Sequence, residues 1–220
     1  MNLGDLIDNK KYFKILPPYC TYWYQISDLP KFEDRKLSVF AGTIFRSNDP
    51  CSQYHERAVL IDFLEEKSEG DFNFYGPCFP GSMNYRSYKG AIAGGPNRNG
   101  FLPKIHVIKN YRFDFCFENT KNVNGFITER MFESLSAGCI PVYSGIKNIE
   151  KYFPKNCFIA KNDFKNYDEL YTFIKTMSKE TYEKYRDNIK NFLASDAAYR
   201  ISTPYYVKCV REVLGLDKVN

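Results

Sequence analysis

The sequence predicts an α/β fold, a Rossmann-like parallel sheet with helices on both faces. Two observations lead to this prediction. Short apolar segments alternate along the chain with longer segments of helical periodicity, and residues 115–145 run from an aromatic strand through an Asn/Gly loop into a helix and a further apolar strand. Strands that alternate with helices form parallel sheets whose crossover helices cover both faces.

Composition narrows the classes of protein that the chain can belong to. With 220 residues, 44% of them hydrophobic, the chain can bury a substantial core. The formal net charge of +5 comes from scattered basic residues, so we expect no nucleic-acid partner. The seven cysteines form no C-x-x-C pair, and the two histidines lack ligand partners at metal-site spacing. We therefore expect free thiols in a reducing compartment and no metal site.

Hydropathy gives an expectation about location. No apolar run approaches the roughly 18 residues that a transmembrane helix needs, and the N-terminus has no signal-peptide pattern. These features predict a cytoplasmic protein without a transmembrane segment.

The elements follow in order along the chain. Residues 1–36 are weakly patterned and are predicted to be a linker or capping segment, and residues 37–220 are predicted to form the domain. The first predicted strand spans 37–45, and after a polar loop a helix spans 52–67. A short strand over 72–75 precedes a loop over 76–100, in which six of the glycines lie.

The second half continues the alternation. A short helix over 103–109 leads into a strand over 111–117, in which three phenylalanines alternate with other residues. Further strands are predicted over 140–143 and 157–160. Asn166 and Glu169 form a capping-box pattern before a helix, and the last helix has Thr203 as its predicted N-cap, Pro204 in its first turn and Gly215 at its end.

Two polar loops, 46–52 and 118–128, each follow a predicted strand and precede a predicted helix. The carboxyl ends of parallel strands are where such sheets bind ligands, and helix N-termini attract phosphates. Arg57 and Arg130, early in the two helices, could each direct a fork of N–H donors at phosphate oxygens, so together they could hold a diphosphate. The chain has no D-x-D triplet, so cationic side chains would have to neutralise a leaving diphosphate.

Each of these residues also has a simpler interpretation. Glu129 and Asn119 could accept and donate hydrogen bonds to sugar hydroxyls, but an acid in a first helical turn is also ordinary complementation of the helix dipole. Arg57 could equally be a surface residue paired with Glu56 or Glu65. The spacing alone leaves both interpretations open.

A family resemblance makes the prediction more specific. The stretch NYRFDFCFENTKNVNGFITERMFESLSAGCIPVYSG resembles the donor-binding signature of the α1,3-fucosyltransferase family. KFEDRKLSVFAGTIFRSN, followed by Arg57, is similar to that family's first strand, Ser-Asn loop and phosphate-binding arginine. The resemblance covers about residues 12–214. It implies that residues 37–220 are the nucleotide-sugar-binding, C-terminal donor domain of a GT-B glycosyltransferase.

The resemblance also implies an activity and a set of donor-binding residues. The activity is inverting transfer of fucose from GDP-fucose to a glycan hydroxyl, without a metal or other cofactor. Arg57 and Arg130 would contact the diphosphate, and Glu129 the donor sugar or ribose. The implied donor-binding set is completed by Ser47, Asn48, Glu118, Asn119, Phe126 and Thr128.

Departures from the family pattern leave alternatives open. Arg130 stands where the family has lysine, and Phe126 where it usually has tyrosine, so a UDP-sugar or another nucleotide sugar remains an alternative donor, as in exostosin-like transferases. The half of the family that supplies the catalytic base is largely missing from the chain, so no catalytic residue is assigned. The chain could therefore be a non-catalytic donor-half module that needs a partner chain for the base, or a homo-oligomer.

Overall fold

The computed structural model describes residues 26–78, 81–92, 104–121, 123 and 125–216. These residues form a five-stranded sheet in the order β2-β1-β3-β4-β5, and every pair of neighbouring strands is parallel. The strands are β1 (Lys36–Ala41), β2 (Phe72–Tyr75), β3 (Tyr111–Phe117), β4 (Ile140–Ser144) and β5 (Ile159–Ala160). The predicted parallel α/β sheet is thus confirmed.

Seven α-helices connect and flank the strands within the described ranges. They are α1 (Tyr54–Lys67), α2 (Lys104–Ile108), α3 (Arg130–Ser136), α4 (Tyr167–Thr176), α5 (Lys179–Leu193), α6 (Asp196–Tyr199) and α7 (Thr203–Val213). None of the helices in this part of the chain has the length and apolarity required to cross a membrane.

The sheet separates two layers of apolar packing. Ser38 pairs with Phe113 across β1 and β3, so the alternating phenylalanines of β3 share a face with Phe40. That face packs against α1, in the larger hydrophobic cluster. Val39 and Ala41 point to the other face and pack against α2 in a smaller cluster. The helices therefore cover both faces, as the alternating pattern predicts.

Several element boundaries differ from the predictions. β1 ends at Ala41 rather than at residue 45, and α1 begins at Tyr54 rather than at residue 52. β5 is limited to two residues. The N-cap of α7 is Ser202, whose side chain accepts from the backbone N–H of Tyr205, so the predicted cap at Thr203 is wrong by one residue. Asn166 caps α4 as predicted, through the N–H of Glu169.

The predicted loop over 76–100 is partly ordered against the sheet. The backbone N–H of Phe74 donates to Ser87, and Lys89 donates back to Phe74, so this segment lies beside β2 like a further short strand. The rest of that prediction, over 79–80 and 93–100, lies outside the described residues. Most of the predicted linker also lies outside them, and the boundary at residue 36 stays a prediction.

Candidate functional site

The two polar loops meet at the carboxyl edge of the sheet, as their positions after strands predict. The backbone N–H of Gln53 donates to the carbonyl of Asn119, and that of Lys121 donates to Cys51. Ser52 and Thr120 form an antiparallel bridge between the loops. The two loops thus form one connected surface above β1 and β3.

Arg57 lies beneath this surface and is fully buried, at 0% exposure. Its Nε and Nη2 donate to the carbonyl of Phe117 at the end of β3, and its Nη1 donates to the carbonyl of Thr43 at 3.0 Å. Nη2 also donates to Oδ1 of Asn119 at 2.8 Å. The guanidinium therefore ties the first loop to the end of β3, and most of its donors are occupied by the protein itself.

Aromatic rings surround the same guanidinium. It lies 4.6 Å from the ring centroid of Tyr54, which stacks in turn on Phe45 with centroids 3.9 Å apart. The predicted alternative in which Arg57 is a surface residue paired with Glu56 or Glu65 is wrong, because the side chain is buried among rings and carbonyl groups. Burying a cation without hydrogen-bond partners would strongly destabilise the fold, so these contacts are needed for the guanidinium to be buried here.

Arg130 reaches the same edge from α3, which lies on the face of the sheet opposite to α1. It is the first residue of α3, is 9% exposed, and its Nη1 donates to the carbonyl of Ala41 at 2.9 Å. Its guanidinium lies against Gly42, where a Cβ atom would come within 2.5 Å of Nη1. Glycine at this position therefore makes room for the arginine.

The two arginines converge on one ring. The carbon at the centre of each guanidinium lies just under 6 Å from the centroid of Phe40, at 5.8 Å for Arg57 and 5.9 Å for Arg130. Burial, together with the positive charge of Arg130, lowers the pKa of Arg57 to about 9. The positive charges of the two guanidinium groups therefore lie close enough to repel each other, and the carboxylate of Glu118 acts against that repulsion at Arg57.

Glu118 organises the second loop. It directly follows β3 and is fully buried, and its carboxylate accepts from the backbone N–H of Thr128 at 3.1 Å and from its hydroxyl at 2.7 Å. Burial raises the pKa of Glu118, although the bonds from Thr128 act against this effect. These contacts make Glu118 and Thr128 the residues that hold the loop closed before α3.

The remaining predicted residues are more accessible. Glu129 is exposed and occupies the N-cap position of α3 without a side-chain capping bond, and Phe126 is half-buried against the larger hydrophobic cluster. Ser47 and Asn48 line a hollow of about 330 Å³ together with Lys121. The lining of that hollow does not include Arg57 or Arg130, so the predicted residues form two neighbouring groups rather than a single cluster.

Sequence reasoning missed Gln53. Its side-chain amide donates to the carbonyl of Ser144 at 2.9 Å and accepts from the hydroxyl of Ser144 at 2.7 Å, which joins the start of α1 to the end of β4. No local pattern signals this pairing, because the partners are distant in sequence. Gly42 was also missed, and the signal for it was a glycine inside the first predicted strand, where this residue often marks the close approach of another group to the backbone.

The fold of the described residues, a parallel sheet with helices on both faces, is similar to the fold of solved glycosyltransferases. A solved structure, the DNA-modifying enzyme β-glucosyltransferase, matches 87% of this chain and 54% of its own chain with a TM-score of 0.57. Because sequence identity is 13%, that likeness concerns the fold alone.

The family model for the C-terminal part of glycosyltransferase family 10 (fucosyltransferase) matches residues 42–206, so the chain belongs to that family. A putative fucosyltransferase-like protein of Arabidopsis thaliana is 29% identical over 76% of this chain and 29% of its own length. The α-(1,3)-fucosyltransferase FucT of Helicobacter pylori is 37% identical over 36% of this chain and 15% of its own length. The matched regions thus represent under a third of each of these relatives.

Proposed function

We propose that this domain binds a GDP-sugar at the carboxyl edge of its sheet and serves the inverting transfer of fucose from GDP-fucose to a glycan hydroxyl. The observation that carries the proposal is the convergence of Arg57 and Arg130 on Phe40 from helices on opposite faces. Membership of the fucosyltransferase family supports the choice of donor.

The chemistry of the edge suits a diphosphate leaving group without a metal ion. Arg130 presents a guanidinium at the rim with one carbonyl partner in the described residues, so it can turn donors toward a phosphate. Most donors of Arg57 bond to the protein, so its guanidinium is held in place beneath the loops. Arg57 would therefore act on the diphosphate through its positive charge rather than through hydrogen bonds. We therefore assign direct diphosphate contact chiefly to Arg130 and electrostatic support chiefly to Arg57.

The other residues would act on the sugar and ribose. Glu129 is exposed beside Arg130, where its carboxylate can accept from donor hydroxyls. Glu118 and Thr128 would act through the shape of the loop that carries Glu129, since they bond to each other. The acceptor hydroxyl needs a general base, for which we name no residue of this chain, and a partner chain could supply it.

Calorimetric titration with GDP, GDP-fucose and UDP tests the proposal. We expect saturable binding of GDP and GDP-fucose at millimolar or lower dissociation constants, with weaker binding of UDP. A preference for UDP would replace fucose by the alternative of a UDP-sugar donor. Absence of binding to every nucleotide and nucleotide sugar would contradict the proposed function.

A further inference from the structure

A second hollow, of about 130 Å³, lies where β4 and β5 end. We call it the lysine hollow, and the residues of its lining that matter here are Gln53, Glu56, Lys121, Gly145, Lys147 and Lys161. It shares Glu56 and Lys121 with the larger hollow that Ser47 and Asn48 line. The arginines that would hold the diphosphate are absent from the lining of both hollows.

The floor of the lysine hollow is rigid. The reciprocal hydrogen bonds between Gln53 and Ser144 fix the start of α1 to the end of β4. At Gly145 a Cβ atom would come within 2.3 Å of the hydroxyl of Tyr143 and 2.6 Å of Cγ of Glu118. The backbone at Gly145 therefore lies too close to Tyr143 and Glu118 to accommodate a side chain.

The charges around the lysine hollow do not balance. Three ammonium groups face one carboxylate, that of Glu56. Burial alone would raise the pKa of Glu56, but hydrogen bonds from Tyr167 and Lys161 lower it, so this carboxylate stays ionised. Lys161 is its ion-pair partner at 3.2 Å.

The other two lysines supply the excess positive charge. Lys121 and Lys147 are exposed, and neither forms an ion pair with a carboxylate among the residues that the structure describes, although the charge of Lys121 helps to lower the pKa of Glu56. A concave surface with an excess of positive charge attracts anions. An ammonium group on a flexible stem can adjust to oxygens whose geometry is not planar, in contrast to the fixed fork of an arginine.

We propose that the lysine hollow is a binding subsite for an oxyanion (a phosphate, sulfate or carboxylate group) held by Lys121 and Lys147. The oxyanion would come either from the nucleotide donor or from an acidic substituent on the acceptor glycan. Only the source of the anion rests on the proposed function, since the binding itself depends on the lysines alone.

Titration of the ¹⁵N-labelled chain with inorganic phosphate at constant ionic strength tests this inference. We expect saturable chemical-shift changes at Gly145 and Lys147. The double variant Lys121→Ala/Lys147→Ala should bind phosphate at least about tenfold more weakly, because both direct charges are removed. Lys190→Ala, which removes an exposed lysine of α5 outside the hollow, is the charge control and should bind as the wild type does.

Equal weakening in the control variant, or no saturable change in the wild type, would overturn the inference. The two lysines are on the surface, so the double variant should fold, and an unchanged thermal transition verifies this. Titrations with GDP and with glucuronate then identify the source: loss of GDP affinity in the double variant indicates the donor, and loss for glucuronate alone indicates the acceptor. A chain that binds phosphate in the hollow but no GDP would sustain this inference while contradicting the proposed function.

Discussion

Two arginines of one edge have different physical roles. Arg57 is buried and its donors are spent on Phe117, Thr43 and Asn119, whereas Arg130 makes one bond, to Ala41, among the described residues. The contacts of Arg57 are those of a structural residue, whereas Arg130 is the residue that we propose to contact the diphosphate. Substitution of each should therefore change a different measured quantity.

Arg57→Ala should mainly lower stability. Its removal leaves the carbonyls of Phe117 and Thr43 without this donor and opens a cavity beside Tyr54 and Phe40, at a cost of about 2–4 kcal/mol in the free energy of unfolding. Urea unfolding measures it. The exposed Arg200→Ala should change stability by less than about 0.5 kcal/mol. Equal, small changes in the free energy of unfolding of the two variants would show that the contacts of Arg57 do not stabilise the fold.

Gly42→Ala should weaken GDP binding through Arg130. The new methyl group would lie 2.5 Å from Nη1 and 2.7 Å from Nη2, so the guanidinium must leave its position. We expect a loss of about 1.5–3 kcal/mol in binding, the worth of a charge-assisted hydrogen bond. The GDP-binding free energies of Gly42→Ala, Arg130→Ala and the double variant, measured by calorimetry, form a double-mutant cycle. Fully additive losses would mean that Gly42 does not act through Arg130.

At the scale of elements, a buried ionic group lies between β3 and the helices α2 and α3. Asp114 is fully buried on the sheet face opposite the phenylalanines, near Lys104 and Arg130. Lys104 is engaged with Glu133 of α3 at 2.6 Å. Burial raises the pKa of Asp114 to about 6, although the charges of Lys104 and Arg130 act against that effect.

This raised pKa gives a pH prediction with a definite sign. The folded state binds the proton of Asp114 more tightly than the unfolded state, whose pKa is near 3.9. The stability contributed by the protonated form is therefore lost as pH rises from about 4 to about 6. Asp114→Asn should remove this slope and gain about 1–3 kcal/mol at pH 7. Urea midpoints across that pH range measure it, and an unchanged slope would contradict the assignment.

The elements also show what local sequence can predict. β2 and β3 occupy their predicted residues, because alternation and β-branched or aromatic side chains are local signals. α1 begins two residues later than predicted because Ser52 and Gln53 bond to the distant loop over 118–121. The cap of α7 was misplaced because Ser202 and Thr203 are both competent caps, and the sequence does not decide between them.

At the scale of the whole molecule, the sequence predicted that the two polar loops meet at one edge of the sheet, but not that their residues form two separate groups. The positions of the loops after strands were enough for the first result. The roles of Arg57 and Gln53 depend on contacts that join the start of α1 to the ends of β3 and β4, which lie far from it in sequence. Such contacts become visible only when the strands are in register.

Binding of the proposed ligand GDP should also stabilise the folded domain against unfolding. A ligand that binds only the folded state raises stability by RT ln(1 + [L]/Kd), which is about 2.7 kcal/mol at a hundredfold excess over Kd. GDP at that concentration should therefore raise the thermal midpoint of the wild type by several degrees. Arg130→Ala at the same GDP concentration should show a smaller increase, and an equal increase would place GDP away from Arg130.

The most direct test of the account is a crystal structure of this chain with GDP. The account predicts that the diphosphate lies at the carboxyl edge of β1 and β3, with an oxygen within hydrogen-bond distance of the Arg130 guanidinium and the charge of Arg57 below it. A diphosphate bound elsewhere, with Arg130 still held only by the carbonyl of Ala41, would contradict it.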